Sequence, residues 1–338
     1  MAKMTENKPG LTKKYVKKLT PTATFGMVEN RNLDKVKHFL QNNYIFIAFF
    51  LMILIGTLTS DKFLTINNIR NVSLQLSMSV IIALGMLFTV LTGGIDLSVG
   101  SIVALAGCLV AGFTQSGTHP FLAIIIVLGL MAIAGSVGGL LVSKAKVAPF
   151  IATLATMTIW RGAAYIYQVG QDRRIDGTPL VKFITGQISG IPVMFIIMII
   201  VVLIAWFVLS KTAFGRSIYA VGGNQEAARL SGISVGLILS SVYIISSVLS
   251  GLSGIILAGR LALGTALVGQ GYELDAIASV VIGGASMNGG KGKVINTVLG
   301  AFIIGFLNNI LNLTGVPAYP QMIIKGVIIV AAVVLKRD

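Results

Sequence analysis

The chain has 338 residues, of which 55% are hydrophobic and only 11% are charged. A soluble domain carries about 25% charged residues, so this composition excludes an ordinary soluble enzyme and predicts an all-α polytopic membrane protein. The net charge of +15 would suggest a nucleic-acid partner in a soluble protein. In a membrane protein Lys and Arg mark the cytoplasmic ends of the spans instead, and we expect no nucleic-acid partner.

Residues 1–41 are predicted to form a basic cytoplasmic tail. The stretch from Met1 to Leu40 holds nine Lys and Arg against three acidic residues and has no long apolar face. Its part near Arg31 to Leu40 is compatible with a helix. Two interpretations remain open: a solvated tail that only fixes the topology, or a segment that also contacts anionic membrane lipid.

Residues 42–338 are predicted to form one transmembrane domain with about ten helices. Both termini are then cytoplasmic, because Lys144, Lys211 and Lys336 follow spans that end inside. The loop 170–190 is external although it carries basic residues, and the eighth segment is either a span or re-entrant. The predicted spans lie at about 44–59, 72–91, 97–115, 121–143, 149–169, 191–210, 235–259, 273–288, 294–313 and 318–335.

The segment Thr92-Gly-Gly-Ile-Asp96-Leu-Ser98 interrupts two apolar blocks. Its glycines allow a helix to break, and Asp96 or Ser98 can cap the helix that resumes. A carboxylate within a membrane domain is also a candidate functional group. Asp96 is therefore either a capping residue or, with Thr92 and Ser98, part of a translocation pathway or gate; the two roles are not exclusive.

The polar segment from Gly222 to Gly232 lies between two long apolar spans. Its Glu226-Ala-Ala-Arg229 core has high helix propensity, and the spacing places Glu226 and Arg229 on one face. A short helix on the membrane surface would show this face to a partner protein. On composition alone, an ordinary solvated loop helix is equally well supported.

The glycine-rich segment 283–292 resembles a nucleotide-binding loop only superficially. A phosphate-binding loop requires Gly, four residues, then Gly-Lys-Ser/Thr, whereas this chain has Ala285 at the first position and Gly292 after Lys291. We expect a turn between two spans and no ATP site. No catalytic set and no His/Cys metal spacing is visible, so a non-catalytic chain without a cofactor of its own is predicted.

The ninth predicted span contains Asn308, Asn309 and Asn312. Asn308 and Asn312 fall on one helical face. Amide groups suit sugar hydroxyls along a pathway, and equally suit hydrogen bonds between helices. Lys325, inside the last span, requires a partner or must reach the interface.

Five ordered motifs resemble permease subunits of bacterial ABC sugar importers, specifically the ribose-type family. The resemblance runs from about Asn42 to the C-terminus. The motifs are Leu91-Thr-Gly-Gly-Ile-Asp-Leu-Ser-Val-Gly-Ser101, Phe150-Ile-Ala-Thr-Leu154, Gly215-Arg216 leading into Tyr219-Ala-Val-Gly-Gly-Asn-Gln-Glu-Ala-Ala-Arg-Leu-Ser-Gly-Ile233, Gly271-Tyr-Glu-Leu-Asp-Ala-Ile-Ala278 and Gly305-Phe-Leu-Asn-Asn309.

The resemblance implies a multi-pass protein of the inner (plasma) membrane that works in an assembly. The expected partners are a second permease copy, a cytoplasmic ATPase that binds ATP and Mg, and a periplasmic or lipid-anchored sugar-binding protein. The loop at about 214–234 would dock on the ATPase. No proline follows it before the next span, unlike the wider importer family. The implied coupling residues are Gly222, Gly223, Asn224, Glu226, Ala227, Ala228, Arg229 and Gly232.

The expected function is ATP-driven import of a monosaccharide, with ribose as the first candidate. Galactosides, xylose and autoinducer-2 are alternatives within the same family. A self-sufficient secondary transporter would need buried ionisable groups for ion coupling, and only Asp96 and Lys325 qualify from the sequence.

Overall fold

A computed structural model describes residues 30–335. The described residues up to Tyr44 and those from Ile45 onward belong to two compact units. The described part of the first unit is the beginning of one long helix that starts at Asn30. The prediction of a cytoplasmic tail therefore falls mostly outside the described residues.

The described chain consists of helices joined by short turns, with four strands of two residues each. The strands pair as two antiparallel ladders, β1 with β4 and β2 with β3. In chain order the elements are α1 (Asn30–Thr59), α2 (Ile66–Leu91), α3 (Val99–Gln115), α4 (Pro120–Ser143), α5 (Pro149–Gln168), β1 (Arg173–Arg174), α6 (Pro179–Thr185), β2 (Gln187–Ile188), β3 (Ile191–Pro192), α7 (Val193–Lys211), α8 (Ala213–Gly223), α9 (Gln225–Leu230), α10 (Val235–Leu261), β4 (Leu263–Gly264), α11 (Tyr272–Ile282), α12 (Val294–Leu313) and α13 (Ala318–Leu335).

Five of the described helices are long and apolar enough to cross a membrane, namely α2, α4, α7, α10 and α12. The apolar part of α1 (Asn43–Thr59) and α3 are shorter. These helices confirm a helical, multi-pass membrane protein. Each of the ten predicted spans contains a helix, while the number of crossings and the side of the termini stay predictions.

Small residues bring α4 and α10 close together. A Cβ added to Gly135 would lie 2.7 Å from the Cβ of Ser247, and one added to Gly139 would lie 2.8 Å from the carbonyl oxygen of Ser240. The hydroxyl groups of Ser143 and Ser240 share a hydrogen bond of 2.7 Å across the same contact. Close approach through small residues is the usual packing of membrane helices, and the run Gly135-Ser-Val-Gly-Gly139 of α4 is typical of such a packing face.

The eighth predicted span contains a helix that is too short to cross a membrane by itself. Its helix α11 has 11 residues, which gives about 16 Å, or half of a bilayer core. A non-helical segment made of turns and the strand β4, named here the extended segment 262–271, precedes it and pairs through β4 with β1. Beyond α11, the amide of Gly290 donates to the carbonyl oxygen of Leu91 at the opposite end of the bundle. Residues 262–290 therefore contact both of these places, while the choice between a span and a re-entrant segment stays a prediction.

The predicted end of this span at residue 288 is wrong, because α11 ends at Ile282. Gly284 has a φ of +89°, a conformation that stops a helix and that glycine adopts at little cost. The following residues form a turn that leads into α12.

Candidate coupling surface and intramembrane polar site

Helix α9 is short but is fixed at both of its ends. The Asn224 side-chain oxygen accepts a hydrogen bond from the Ala227 amide at 2.9 Å, which caps the first turn. At the other end Gly232 has a φ of +82°, and the amides of Gly232 and Ile233 donate to the carbonyls of Arg229 and Ala228. This pattern is a Schellman motif, and it explains the glycine at position 232.

One side of α9 is apolar and anchored. Ala228 is buried with Val221 of α8 and Leu239 of α10, and Ile233 packs against the same cluster. Asn224, Ala227 and the charged residues of the helix are exposed. The helix therefore has a fixed orientation, with its polar side turned away from the domain.

Glu226 and Arg229 form the predicted pair on this polar side. The Arg229 Nη2 donates to Glu226 Oε1 at 2.6 Å and the Arg229 Nε donates to Oε2 at 3.0 Å. The guanidinium holds the pKa of Glu226 below its ordinary value, so the carboxylate is charged at neutral pH. The side chains are 64% and 66% exposed. An ion pair this exposed adds little to folding stability, which leaves it free to serve as a recognition feature.

Three chain segments meet where α8 ends, at a contact named here the glycine junction (Leu91, Gly93, Gly222, Gly289 and Gly290). A Cβ on Gly222 would collide with the Leu91 carbonyl oxygen and lie 2.6 Å from the Gly290 amide. A Cβ on Gly289 would lie 2.7 Å from the Gly222 carbonyl oxygen and 2.9 Å from the Gly93 amide. The backbones of the coupling segment, the α2 end and the α11–α12 turn are thus in direct contact.

Asp96 is buried within the domain. The side chain is only 1% exposed. Its Oδ1 accepts hydrogen bonds from the Ser98 amide (2.9 Å) and hydroxyl (2.6 Å), and its Oδ2 accepts from the Ser246 hydroxyl of α10 (2.7 Å). The carboxylate therefore organises the turn before α3 and also ties that turn to α10.

Thr92 and Ser98, grouped with Asp96 in the sequence, are also buried. Thr92 donates its hydroxyl to the Thr89 carbonyl at 2.8 Å. A cavity of about 190 Å³ separates this turn from Gln225, the first residue of α9. Contact between Asp96 and a cargo would require this region to open, so a pathway or gating role stays a prediction.

Tyr243 lines the same cavity and is absent from the sequence-based site. Its side chain is 2% exposed, and its hydroxyl has no hydrogen-bond partner among the described residues. A single tyrosine among the small and aliphatic residues of α10 is a weak signal in sequence. Its nearness to the turn depends on a contact between elements far apart in the chain.

The three asparagines of α12 do not converge on a site. Asn309 and Asn68 of α2 exchange two hydrogen bonds, of 2.8 and 3.0 Å, in a buried pair. Asn312 accepts from Gln321 at 2.9 Å. Asn308 is buried, and its side-chain oxygen lacks a partner among the described residues. For Asn309 the geometry supports the interpretation that it links helices.

Two cations lie within apolar helices. Lys325 of α13 donates to Asp275 of α11 at 3.0 Å, so of the two alternatives stated for Lys325 the structure shows a partner. Arg161 of α5 donates to backbone carbonyls of the extended segment 262–271. Arg161 was not among the site residues predicted from the sequence, although a lone Arg inside an apolar helix is a usable signal. Within the described residues no group of three or more His, Cys, Asp and Glu could hold a metal ion.

Comparisons with known proteins agree with this architecture. Residues 68–333 match the family described as "Branched-chain amino acid transport system / permease component". The ribose import permease protein of Bacillus subtilis is 46% identical over 86% of this chain and 91% of its own length. That of Haemophilus influenzae is 44% identical over 91% of this chain and 97% of its own length. The D-allose permease protein of Escherichia coli is 41% identical over 86% and 90%. No solved structure matches the chain.

Proposed function

Because the chain belongs to the branched-chain amino acid transport system / permease component family, we propose that it is the membrane subunit of an ATP-driven importer that moves ribose across the plasma membrane. The observation that carries this proposal is the extent of similarity to ribose import permeases, which covers most of both chains. Similarity that continues through the helices as well as the exposed loop supports a shared cargo as well as a shared fold.

The proposed assembly contains chains other than this one. An ATPase would bind ATP and Mg and would dock on α8 and α9 through the coupling residues 222–232. A sugar-binding protein would deliver the cargo on the opposite side, and a second permease copy would complete the pathway. The short, capped and outward-facing α9 supports this arrangement, since a docking helix must keep its orientation when a partner pushes on it.

The glycine junction provides a route from the ATPase to the membrane interior. A displacement of α8 and α9 would press directly on Leu91 and Gly290, because the backbones are in contact. Leu91 leads into the Asp96 turn, and Gly290 follows α11. We propose that the gate consists of the Asp96 turn and the turn after α11, which move together. Asp96 would contribute by keeping its turn bonded to α10.

Ten spans with both termini in the cytoplasm complete the proposal. The contacts of residues 262–290 fit this topology. β4 pairs with β1 in the loop 170–190, and Gly290 packs against Gly222 and Gly223 at the end of α8. In the predicted topology the loop that contains β1 is external, and the end of α8 is cytoplasmic.

Tight sugar affinity belongs to the binding protein, and the permease needs only weak contacts because strong ones would slow release.

Uptake in cells that lack their own ribose transport tests the function. The permease is expressed with its ATPase and binding protein, and accumulation of labelled ribose is measured. Unlabelled allose, arabinose, xylose, galactose and leucine serve as competitors. We expect ribose uptake that depends on all three proteins and that leucine does not reduce. Leucine uptake without ribose uptake, or ribose uptake by the permease alone, would contradict the proposal.

A further inference from the structure

The extended segment 262–271 carries non-helical backbone deep into the membrane domain. A Cβ on Gly264 would lie 2.5 Å from the Cβ of Ala111, near the end of α3. Gly269 packs against the carbonyl of Gly100, in the first turn of α3. Positions 100 and 111 of a helix lie about 16 Å apart along its axis. Non-helical backbone survives at this depth only where protein buries it or where it lines a water-filled cavity.

Arg161 of α5 stabilises this segment. Its Nη1 donates to the carbonyls of Ala266 and Val268, both at 2.6 Å. These bonds satisfy two backbone acceptors that the break in the helix leaves free. A guanidinium carries five N–H donors, and no further bond of Arg161 to a described residue is formed. The Nε and Nη2 donors therefore remain available for a ligand.

An open groove of about 470 Å³ lies beside this guanidinium. Besides Arg161, its polar lining consists of Thr158, Gln270 and Glu273. Gln270 is exposed and Glu273 is half-buried. The Glu273 Oε1 accepts one hydrogen bond, from the Gly271 amide at 3.2 Å. The groove thus offers hydrogen-bond donors and acceptors together, with one positive and one negative charge.

The charged lining of the groove argues against a face turned to lipid. Arg161 lies 12 residues into a 20-residue helix, and Glu273 is in the first turn of a helix that begins inside the domain. Charged groups at such positions face protein or a water-filled cavity, and they mark the paths of substrates and ions. An open, hydrated groove at a broken helix is where a transporter places a transient contact for its cargo.

We propose that this groove is a transient sugar-binding subsite on the translocation path. The free Arg161 donors would donate to sugar hydroxyls. The Gln270 amide would donate to or accept from them, and the Glu273 carboxylate would accept from them. The inference rests on the proposed import of a sugar. It shifts the cargo contact from the buried Asp96 turn to Arg161, Gln270 and Glu273.

The test uses the whole transporter, reconstituted from permease, ATPase and binding protein in lipid vesicles. Uptake of ribose and of 2-deoxyribose, which lacks one hydroxyl, is measured with each sugar saturating the binding protein. The variants are Gln270→Ala and Glu273→Gln. Leu267→Ala is the matched control, because Leu267 is exposed on the same segment and does not line the groove.

We expect each groove variant to lower ribose uptake about two- to tenfold, as for the loss of one hydrogen bond. The ratio of ribose to 2-deoxyribose uptake should fall as well, while Leu267→Ala keeps both values. Unchanged uptake and ratio in both groove variants would overturn the subsite. A loss of the permease dimer with an unchanged ratio would also overturn it, since the groove would then be a protein interface. Failure of the unmodified transporter to import ribose would instead contradict the proposed function.

Discussion

Asp96 combines a charge with nearly complete burial, and its three hydrogen bonds determine what a substitution would do. Each donor in the set, the Ser98 amide and the Ser98 and Ser246 hydroxyls, points at a carboxylate oxygen. A neutral amide would present its NH₂ group to at least one of these donors. Both the stability of the turn and its link to α10 therefore depend on the carboxylate.

We predict that Asp96→Asn lowers both the thermal unfolding midpoint and sugar uptake. Leaving one buried donor unsatisfied costs about 1–3 kcal/mol. The unfolding midpoint of the purified permease and uptake per permease molecule are compared with those of Ser246→Ala, which removes a single donor and should be milder. Unchanged uptake at a lowered midpoint would leave Asp96 with a capping role alone. An unchanged midpoint would contradict the described geometry.

At the level of secondary structure, the glycine junction depends on backbone contacts that no side chain could occupy. Gly222 and Gly223 are adjacent in α8, but their surroundings differ. An added Cβ at Gly222 would meet Leu91 and Gly290, whereas nothing lies within 4 Å of one at Gly223. The pair offers a substitution and its control within one helical turn.

We predict that Gly222→Ala destabilises the permease and reduces coupled transport, while Gly223→Ala does not destabilise it. Alanine improves helix propensity equally at the two positions, so the difference isolates the collision at Gly222, which should cost about 1–3 kcal/mol. Thermal unfolding and the number of sugar molecules imported per ATP hydrolysed are the measurements. Equal unfolding midpoints for the two variants would show that α8 does not press on the α2 end.

The ion pair between Lys325 and Asp275 joins α13 to α11. The two side chains are 25% and 21% exposed, so each depends on the other for most of its solvation. We predict that Lys325→Met lowers stability by about 2–3 kcal/mol, because it leaves a carboxylate without its partner. Adding Asp275→Asn to the same chain should recover much of the loss. A double variant no better than the single one, in thermal unfolding, would contradict a direct pair.

Much of the helical framework follows from the sequence, because the apolar blocks and their polar interruptions are local features. The helix of the coupling segment and the break before Asp96 are local in the same way. The extended segment 262–271 was not predicted, since Leu261 to Val268 contains no proline and no charge. Its conformation comes from Arg161 and α3, more than 90 positions earlier in the chain.

The contacts that define the site also depend on residues far apart in the chain, so they could not be predicted from the sequence. Gly93, Gly222 and Gly289 are each suggestive of a turn or a packing contact, but their meeting point depends on how three distant segments fold together. Asn309 and Asn68 are 241 positions apart. Sequence alone left pairing and cargo contact open for these asparagines, and the geometry favours pairing for Asn309.

At the scale of the whole molecule, the topology of ten spans can be tested because the chain has a single, fully buried cysteine. In a Cys108→Ala background, Asp176→Cys and Ser231→Cys place thiols on loops at the two ends of the bundle. In right-side-out vesicles, a membrane-impermeant maleimide should label position 176 directly and position 231 only after permeabilisation. Labelling in the reverse order would invert the proposed orientation.

The central claim is that an external ATPase drives sugar import through α9. Its most direct measurement is ribose uptake by vesicles that contain permease, ATPase and binding protein, with Glu226→Ala and Arg229→Ala tested beside Asp61→Ala, an exposed acidic control outside the coupling loop. We predict ATP-dependent uptake in the unmodified protein and the control, and at least about tenfold less in the two coupling variants at equal permease content. Uptake and ATPase association at normal levels in both coupling variants would contradict the claim.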